Sequence, residues 1–188
     1  MKTNKKKILV PLLVLALVVT TIGGTLAWLM DKTAPVENVF SVGNVDVELA
    51  ESEGLDLQMI PGKTITKDPV VTFKAGSEKS YVFVKVDEEN MPTYLTYDID
   101  SKWTKLGESN VYWQLMDKAD VDQELPVIKD DKVTVGDNIG NTEMNAAETN
   151  PPTLTFTAYA VQWAKDKTNF TPEEAWNIAQ GLNPDGTK

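Results

Sequence analysis

The 188-residue sequence contains no cysteine and no histidine. Without these residues the chain cannot form a disulfide, a thiolate nucleophile, an imidazole base or a Cys/His zinc site. Zinc hydrolases normally bind their metal through histidine, typically on an HExxH helix. An all-carboxylate site is the remaining alternative, and none of the acidic clusters has a recognisable ligand spacing. We therefore expect a protein that is not an enzyme and that carries no cofactor.

Arginine is also absent, so all 18 basic residues are lysines. Four of them, Lys2, Lys5, Lys6 and Lys7, precede an apolar run, whereas every acidic residue follows it. The part of the chain after residue 27 has 28 acidic residues against 14 lysines, a formal charge of −14. A surface of this sign repels the phosphate backbone, so nucleic-acid binding is excluded as a main role.

The N-terminal region has the pattern of an export signal. Residues 1–7 are basic, and residues 8–22 form an apolar run that only a proline and two threonines interrupt. Thr25 and Ala27 then place small residues at the −3 and −1 positions of a cleavage site. This pattern predicts a signal peptide over residues 1–27 and a mature chain that begins at Trp28.

A retained membrane anchor is the alternative interpretation of the same region. Residues 8–30 are 23 consecutive uncharged residues, and about 20 apolar residues suffice to span a bilayer. The lysines before the run would hold such an anchor with its N-terminus in the cytoplasm. We favour cleavage, in which case the chain contacts the membrane only as a precursor.

Two missing signals affect the expected location of the mature chain. No cysteine follows the apolar run, as lipid attachment would require, and the C-terminal residues GLNPDGTK contain no LPxTG-like sorting signal. We therefore expect a secreted product, in the extracellular matrix or at the cell surface, without a covalent anchor.

The mature chain shows a series of short strand patterns separated by turn residues. Val45, Val47 and Leu49 alternate with polar residues, as in a half-buried strand. Residues 153–163 are uncharged on both faces, which is typical of a strand paired on both sides. Further strands are predicted at residues 55–60, 69–74, 81–86, 93–99, 103–106, 111–116, 125–128 and 132–135.

Two short helices are predicted near the C-terminus. A brief helix over residues 141–148 has Asn141 or Thr142 as its expected cap. A second helix over residues 172–180 starts with the capping box Thr171–Glu174 and a proline at its first position. We expect a mainly β fold, a jelly-roll-like β-sandwich over residues 39–188 with one or two short helices, preceded by an N-terminal signal helix and an extended segment at 28–38.

Three stretches of the chain together resemble one family of exported bacterial proteins, the TasA/camelysin type. The first is GTLAWLMDKTAPVENVFSVGNVDVEL at the junction between signal and mature chain. The second is PGKTITKDPVVTFKAGSEKSYVFVKV, and the third is PTLTFTAYAVQ followed by TPEEAW. The junction departs from the family pattern because Met30-Asp31 replaces a Thr-Asp pair. Residues 87–130 match no family motif.

The resemblance implies cleavage by a SipW-like signal peptidase, a jelly-roll domain and assembly into fibres of the biofilm matrix. In that family, the N-terminal segment of one subunit completes the sheet of the next, so the partners would be identical or related matrix subunits. Phe40, Gly43, Asp46 and Leu49 match the family's junction motif. The residues expected in and beside the donor segment are Trp28, Leu29, Met30, Asp31, Thr33, Val36, Asn38 and Phe40.

Strand donation also has a physical basis, because an exposed sheet edge presents unpaired N–H and C=O groups that an extended segment satisfies. Two alternatives remain open. The segment could fold back on its own domain or remain a loose terminus, and either would give a non-assembling monomeric surface protein. The protein could instead be a camelysin-like cell-surface metallopeptidase, which the absence of histidine disfavours.

A weaker candidate site is the acidic stretch that contains Asp117, Asp120, Asp122 and Glu124. Calcium binds six to eight oxygen ligands, but the central glycine of an EF-hand loop is missing here. We favour a solvated acidic loop over a calcium site. The four tryptophans at positions 103, 113, 163 and 176 are expected to pack in the core rather than to form a carbohydrate platform.

Overall fold

The computed structural model describes residues 30–32, 45–52, 59–91, 95–165 and 168–188. Within these ranges the chain is mainly β, with thirteen strands and two helices. The predicted signal helix lies outside the described residues. The elements are β1 (Met30–Lys32), β2 (Val47–Ala50), β3 (Thr64–Thr66), β4 (Val70–Phe73), β5 (Ser80–Glu89), β6 (Leu95–Ile99), β7 (Thr104–Lys105), β8 (Val111–Met116), β9 (Gln123–Pro126), β10 (Ile128–Val135), α1 (Asn141–Thr149), β11 (Thr153–Gln162), β12 (Ala164–Lys165), β13 (Thr168–Asn169) and α2 (Pro172–Ala179).

The larger sheet has the strand order β1-β11-β5-β8-β7, and all its pairs are antiparallel. Its centre is formed by β5 and β11, which pair along their full ten-residue lengths from Thr153↔Glu89 to Gln162↔Ser80. β11 also pairs with β1 on its other side. The prediction that the uncharged stretch at 153–163 forms a strand with neighbours on both sides is therefore confirmed.

Two three-stranded sheets, β2-β4-β9 and β3-β10-β6, form the opposite layer. β3 and β4 follow each other along the chain, as do β9 and β10, and hydrogen bonds bridge the junctions between them. The Lys67 N–H donates to the Asp131 carbonyl at 2.9 Å, and the Val127 N–H donates to the Pro69 carbonyl at 2.9 Å. The two small sheets thus continue into one bent layer. The apolar stretches of β4 and β5 therefore lie in different layers.

The main core fills the space between the two layers, and it follows from the alternation along the strands. On β5, Val82, Val84 and Val86 face the opposite layer, whereas Tyr81 and Phe83 face the other way. The opposite layer contributes buried residues from β4, β9 and β10. The fully buried side chains of this core include Val71, Phe73, Val82, Val84, Val127 and Ile128.

Helix α2 covers the outer face of the larger sheet. Ala175 and Ile178 are buried against Tyr81, Phe83 and β11, and Phe170, Trp176 and Ala179 pack on the same face of the sheet. Trp103 is buried in the main core, and Trp113 and Trp163 pack at the helix-covered face, as expected for core tryptophans. The helix begins with the predicted capping box, in which the Thr171 hydroxyl accepts from the Glu174 N–H at 3.2 Å.

Four local predictions were wrong in detail. The cap of α1 is Gly140 rather than Asn141 or Thr142, because the Glu143 carboxylate folds back to accept from the Gly140 N–H at 3.0 Å. The strand predicted at 103–106 is reduced to the two residues of β7, since the Trp103 N–H instead donates to the Asp100 carbonyl in a turn.

The third concerns the strands predicted at 125–128 and 132–135, because β10 runs continuously from Ile128 to Val135. It does so through an irregularity at Asp130 and Asp131, both with φ of 56°. Of the strand predicted at 55–60, Met59 and Ile60 are not in a strand, and residues 55–58 lie outside the described ranges.

No described helix is long and apolar enough to cross a bilayer.

Candidate functional site at the outer edge of β11

The part of the predicted donor segment that the structure describes is already a strand. Met30, Asp31 and Lys32 lie antiparallel to β11, opposite Val161, Ala160 and Tyr159 respectively. β1 is the outermost strand on this side of the larger sheet and belongs to the same molecule as β11. The segment therefore pairs with an edge of its own domain, which is the fold-back arrangement that the sequence left open as an alternative.

The edge position that β1 occupies beside β11, called here the β11 seat, is formed by a strand that is held in place from its other side. Ala160 is fully buried and Val161 is nearly so, and β5 pairs with the far side of both residues. Because β11 is held along ten residues by β5, its register does not depend on the three residues of β1. The β11 seat should therefore persist when β1 leaves it.

Helix α2 lies beside β1 and supports the β11 seat from the outer face. The Trp176 ring meets Tyr159 edge-on at a centroid distance of 5.1 Å and lies 5.3 Å from Phe83. These aromatic contacts connect the helix to the strand that carries the seat. Edge-to-face pairs of this kind contribute about 0.5–1.5 kcal/mol beyond their burial.

A buried hydrogen bond fixes the start of the same helix. The Tyr81 hydroxyl donates to the Phe170 carbonyl at 3.0 Å. Burial raises the pKa of Tyr81, and the nearby charge of Glu173 raises it further. The phenol therefore stays protonated at neutral pH and keeps its role as a donor.

The length of the connection after β1 decides what the segment can reach. β1 lies in the larger sheet and β2 in the opposite layer, close to β11. The connection spans residues 33–46, which are 14 residues, and an extended chain reaches roughly 3.3–3.6 Å per residue. Such a connection can extend over a distance of about 45 Å, so β1 can leave its seat while β2 remains in place.

Most of the other predicted junction residues lie outside the described residues. This applies to the cleavage residues Thr25, Ala27 and Trp28, and to Leu29, Thr33, Val36, Asn38 and Phe40. Sequence reasoning did not identify the acceptor residues Tyr159, Ala160 and Val161. The only signal for them was the lack of charge on both faces of their strand, which indicates two neighbours but not which ones.

The acidic stretch considered for calcium is held by lysines and backbone instead. Asp122 accepts from the Ala75 N–H at 2.8 Å and pairs with Lys74 at 3.1 Å, and these contacts lower the pKa of its carboxyl group. Asp117 pairs with Lys79 at 2.9 Å.

The two remaining calcium candidates do not complete a site. Glu124 lies in β9 opposite Thr72, and Asp120 is exposed in the loop before that strand. Among the residues that the structure describes, no three acidic side chains are grouped so as to hold a metal ion.

Comparisons with protein-family models, with curated proteins and with solved structures find no match to this chain.

Proposed function

We propose that this protein is a secreted structural subunit of an extracellular matrix, and that it assembles into fibres by strand exchange after cleavage before Trp28. The supporting observation is the pairing of Met30–Lys32 with the outer edge of β11. The same three residues can make the same pairing on a neighbouring molecule. We also propose that the two packed layers have a jelly-roll arrangement.

Exchange between molecules requires little net free energy, because the exchanged strand makes the same hydrogen bonds in either molecule. Swapping an identical element between copies is a low-cost route to assembly. Here the segment of one copy occupies the β11 seat of the next, which is a head-to-tail contact. A head-to-tail contact that does not close into a ring generates an open filament.

Cleavage supplies the switch in this proposal. Before cleavage, the residues ahead of Met30 continue into an apolar run anchored in the membrane, so the strand cannot reach a second molecule. After cleavage, residues 28–32 form a free end. The proposed partners are a SipW-like signal peptidase during export and further copies or related subunits afterwards.

A non-assembling monomeric surface protein is the second candidate, and the same pairing within one molecule favours it. The two candidates differ in what happens at high protein concentration. An exchanging subunit forms fibres, whereas the monomer keeps its strand in its own seat at every concentration.

The experiment compares three forms of the mature chain by negative-stain electron microscopy. The first begins at Trp28, the second lacks residues 28–35, and the third carries a Gly/Ser sequence of equal length in place of those residues. We expect fibres only from the first, because the other two lack β1. Circular dichroism and thermal unfolding verify that all three are folded, and fibres from either altered form would refute the proposal.

A further inference from the structure

A second sheet edge carries an open groove on the side of the sandwich away from β1. A cavity of about 610 Å³ is lined by all five residues of β6, by Glu88 and Met91 near the end of β5, and by Tyr112 of β8. Successive side chains of a strand point to opposite faces. A cavity that touches five successive residues therefore runs along the edge of the strand rather than over one face.

β6 is the outermost strand of its layer among the described residues, with β10 as its neighbour on the inner side. An outermost strand presents backbone N–H and C=O groups to which an extended peptide can add. Across the groove, the outer edge of β8 pairs with β7 at Tyr112 and Trp113, and the Val111 carbonyl accepts from the Leu106 N–H. The open strand edge at the groove is therefore that of β6.

The groove combines an apolar wall with carboxylates. Leu95, Tyr97 and Ile99 are half-buried and, with Tyr112, pack against the main core. Glu88 and Asp98 are exposed, and no lysine is among the described residues that line the cavity. The residues that line the groove therefore favour a peptide with apolar side chains on one face and positively charged side chains on the other.

The position of the Glu88 carboxylate is set by a tyrosine. The Tyr97 hydroxyl donates to Glu88. Burial, and then this hydrogen bond, raise the pKa of Tyr97. The phenol thus remains the donor at neutral pH, and Glu88 presents its negative charge at the rim of the groove.

We propose that the groove beside β6 binds an extended, basic peptide segment of a partner protein, which adds to β6 as a further strand. The chain's own segment fits this groove less well than the β11 seat. Residues 28–38 contain two carboxylates and a single lysine, so their side chains do not complement Glu88 and Asp98. The proposal does not depend on fibre assembly, because it concerns the opposite side of the domain.

The test uses the monomeric mature chain and the synthetic peptide KVKWKVK with an N-terminal fluorescein, whose fluorescence anisotropy reports binding. Asp98→Lys reverses a charge at the groove, and we expect it to raise the dissociation constant at least 10-fold. The matched control is Asp120→Lys, which makes the same charge change at the other end of β5, roughly 25 Å from Glu88. It should leave the dissociation constant within a factor of about two.

Two further measurements separate strand addition from a general attraction between opposite charges. A peptide with N-methyl groups on alternate residues cannot pair along one edge, and we expect it to lose binding. Hydrogen exchange should slow at the backbone amides of Leu95–Ile99 when the unmodified peptide is bound. Loss of binding in both lysine variants alike, unchanged binding of the N-methylated peptide, or protection confined to other strands would each overturn the proposal.

The remaining arm tests the identity of the occupant. A peptide of residues 28–38 is titrated into the same protein, and we expect it to bind the groove more weakly than the basic peptide. Tighter binding of that peptide at β6 would assign the groove to a second copy and overturn the partner proposed. An absence of binding by either peptide at millimolar concentration would overturn the groove as a peptide site, without affecting exchange at the β11 seat.

Discussion

A disulfide between β1 and β11 would fix the N-terminal strand in its own molecule. The variant Met30→Cys/Val161→Cys places two cysteines at directly paired positions of a chain that otherwise has none. Directly paired residues of antiparallel strands have Cα atoms about 4.5–5.5 Å apart. That separation falls within the roughly 4.4–6.8 Å that a disulfide accepts.

The size of the expected effect of the disulfide on assembly follows from how weakly the three residues of β1 are held at β11. Each backbone hydrogen bond contributes a net ~1 kcal/mol, whereas ordering one residue costs about 1–2 kcal/mol. The β11 seat should therefore release the three residues of β1 readily. The disulfide encloses more than 100 residues, since it joins positions 30 and 161. Loops of that size correspond to an entropic stabilisation of about 4.7 kcal/mol before any strain.

We expect the oxidised monomer of this variant to form at least ten times less fibre than the reduced monomer, because β1 cannot leave. Adding reductant should restore assembly. The measurement is fibre yield by sedimentation and negative-stain microscopy, with the two single-cysteine variants as controls for the substitutions themselves.

Oxidising fibres that have already formed tests the exchange directly. If β1 of one copy lies in the seat of the next, the disulfides join different chains, and non-reducing gels should show a ladder of multimers. Monomers alone on those gels, or oxidised monomers that assemble at the rate of reduced ones, would refute strand exchange at β11.

Three further predictions concern the stability of the domain. Phe83→Ala should lower the free energy of unfolding by about 3–5 kcal/mol, measured by urea denaturation, because Phe83 is fully buried beneath α2; a loss below 1 kcal/mol would contradict this packing. Thr171→Ala should lower the free energy of unfolding by about 1 kcal/mol because the helix cap is lost, whereas Thr171→Ser should keep most of that stability. The pKa of Asp122 is lowered by the Ala75 N–H and by Lys74. The ionised Asp122 carboxylate therefore stabilises the folded state at neutral pH, and this contribution is lost as the pH falls through the lowered pKa. Thermal unfolding between pH 7 and pH 2 should therefore decline less steeply for Asp122→Asn, and parallel curves would argue against the contact.

Local sequence patterns were sufficient to predict many of the elements. The apolar run at residues 81–86 and the uncharged stretch at 153–163 predicted the two central strands, because a strand that is covered on both faces carries few charged residues on either face. The capping box at Thr171 likewise predicted the start of α2, since its hydrogen bonds join residues only three apart. The cap at Gly140 was missed because glycine has no side chain to signal that role.

The positions of the two edges could not be predicted in this way. The β11 seat joins Asp31 to Ala160, and the groove beside β6 brings Glu88 and Tyr112 to the same cavity. Residues so far apart in the chain meet only when the sheets pack, and no local periodicity records which strands become neighbours. The amino-acid sequence by itself determined that the chain is a β-rich, acidic domain whose N-terminal segment suits a sheet edge. The tertiary structure decided which edge that segment occupies and which edge is left open, because strand order depends on long-range pairing rather than on local composition.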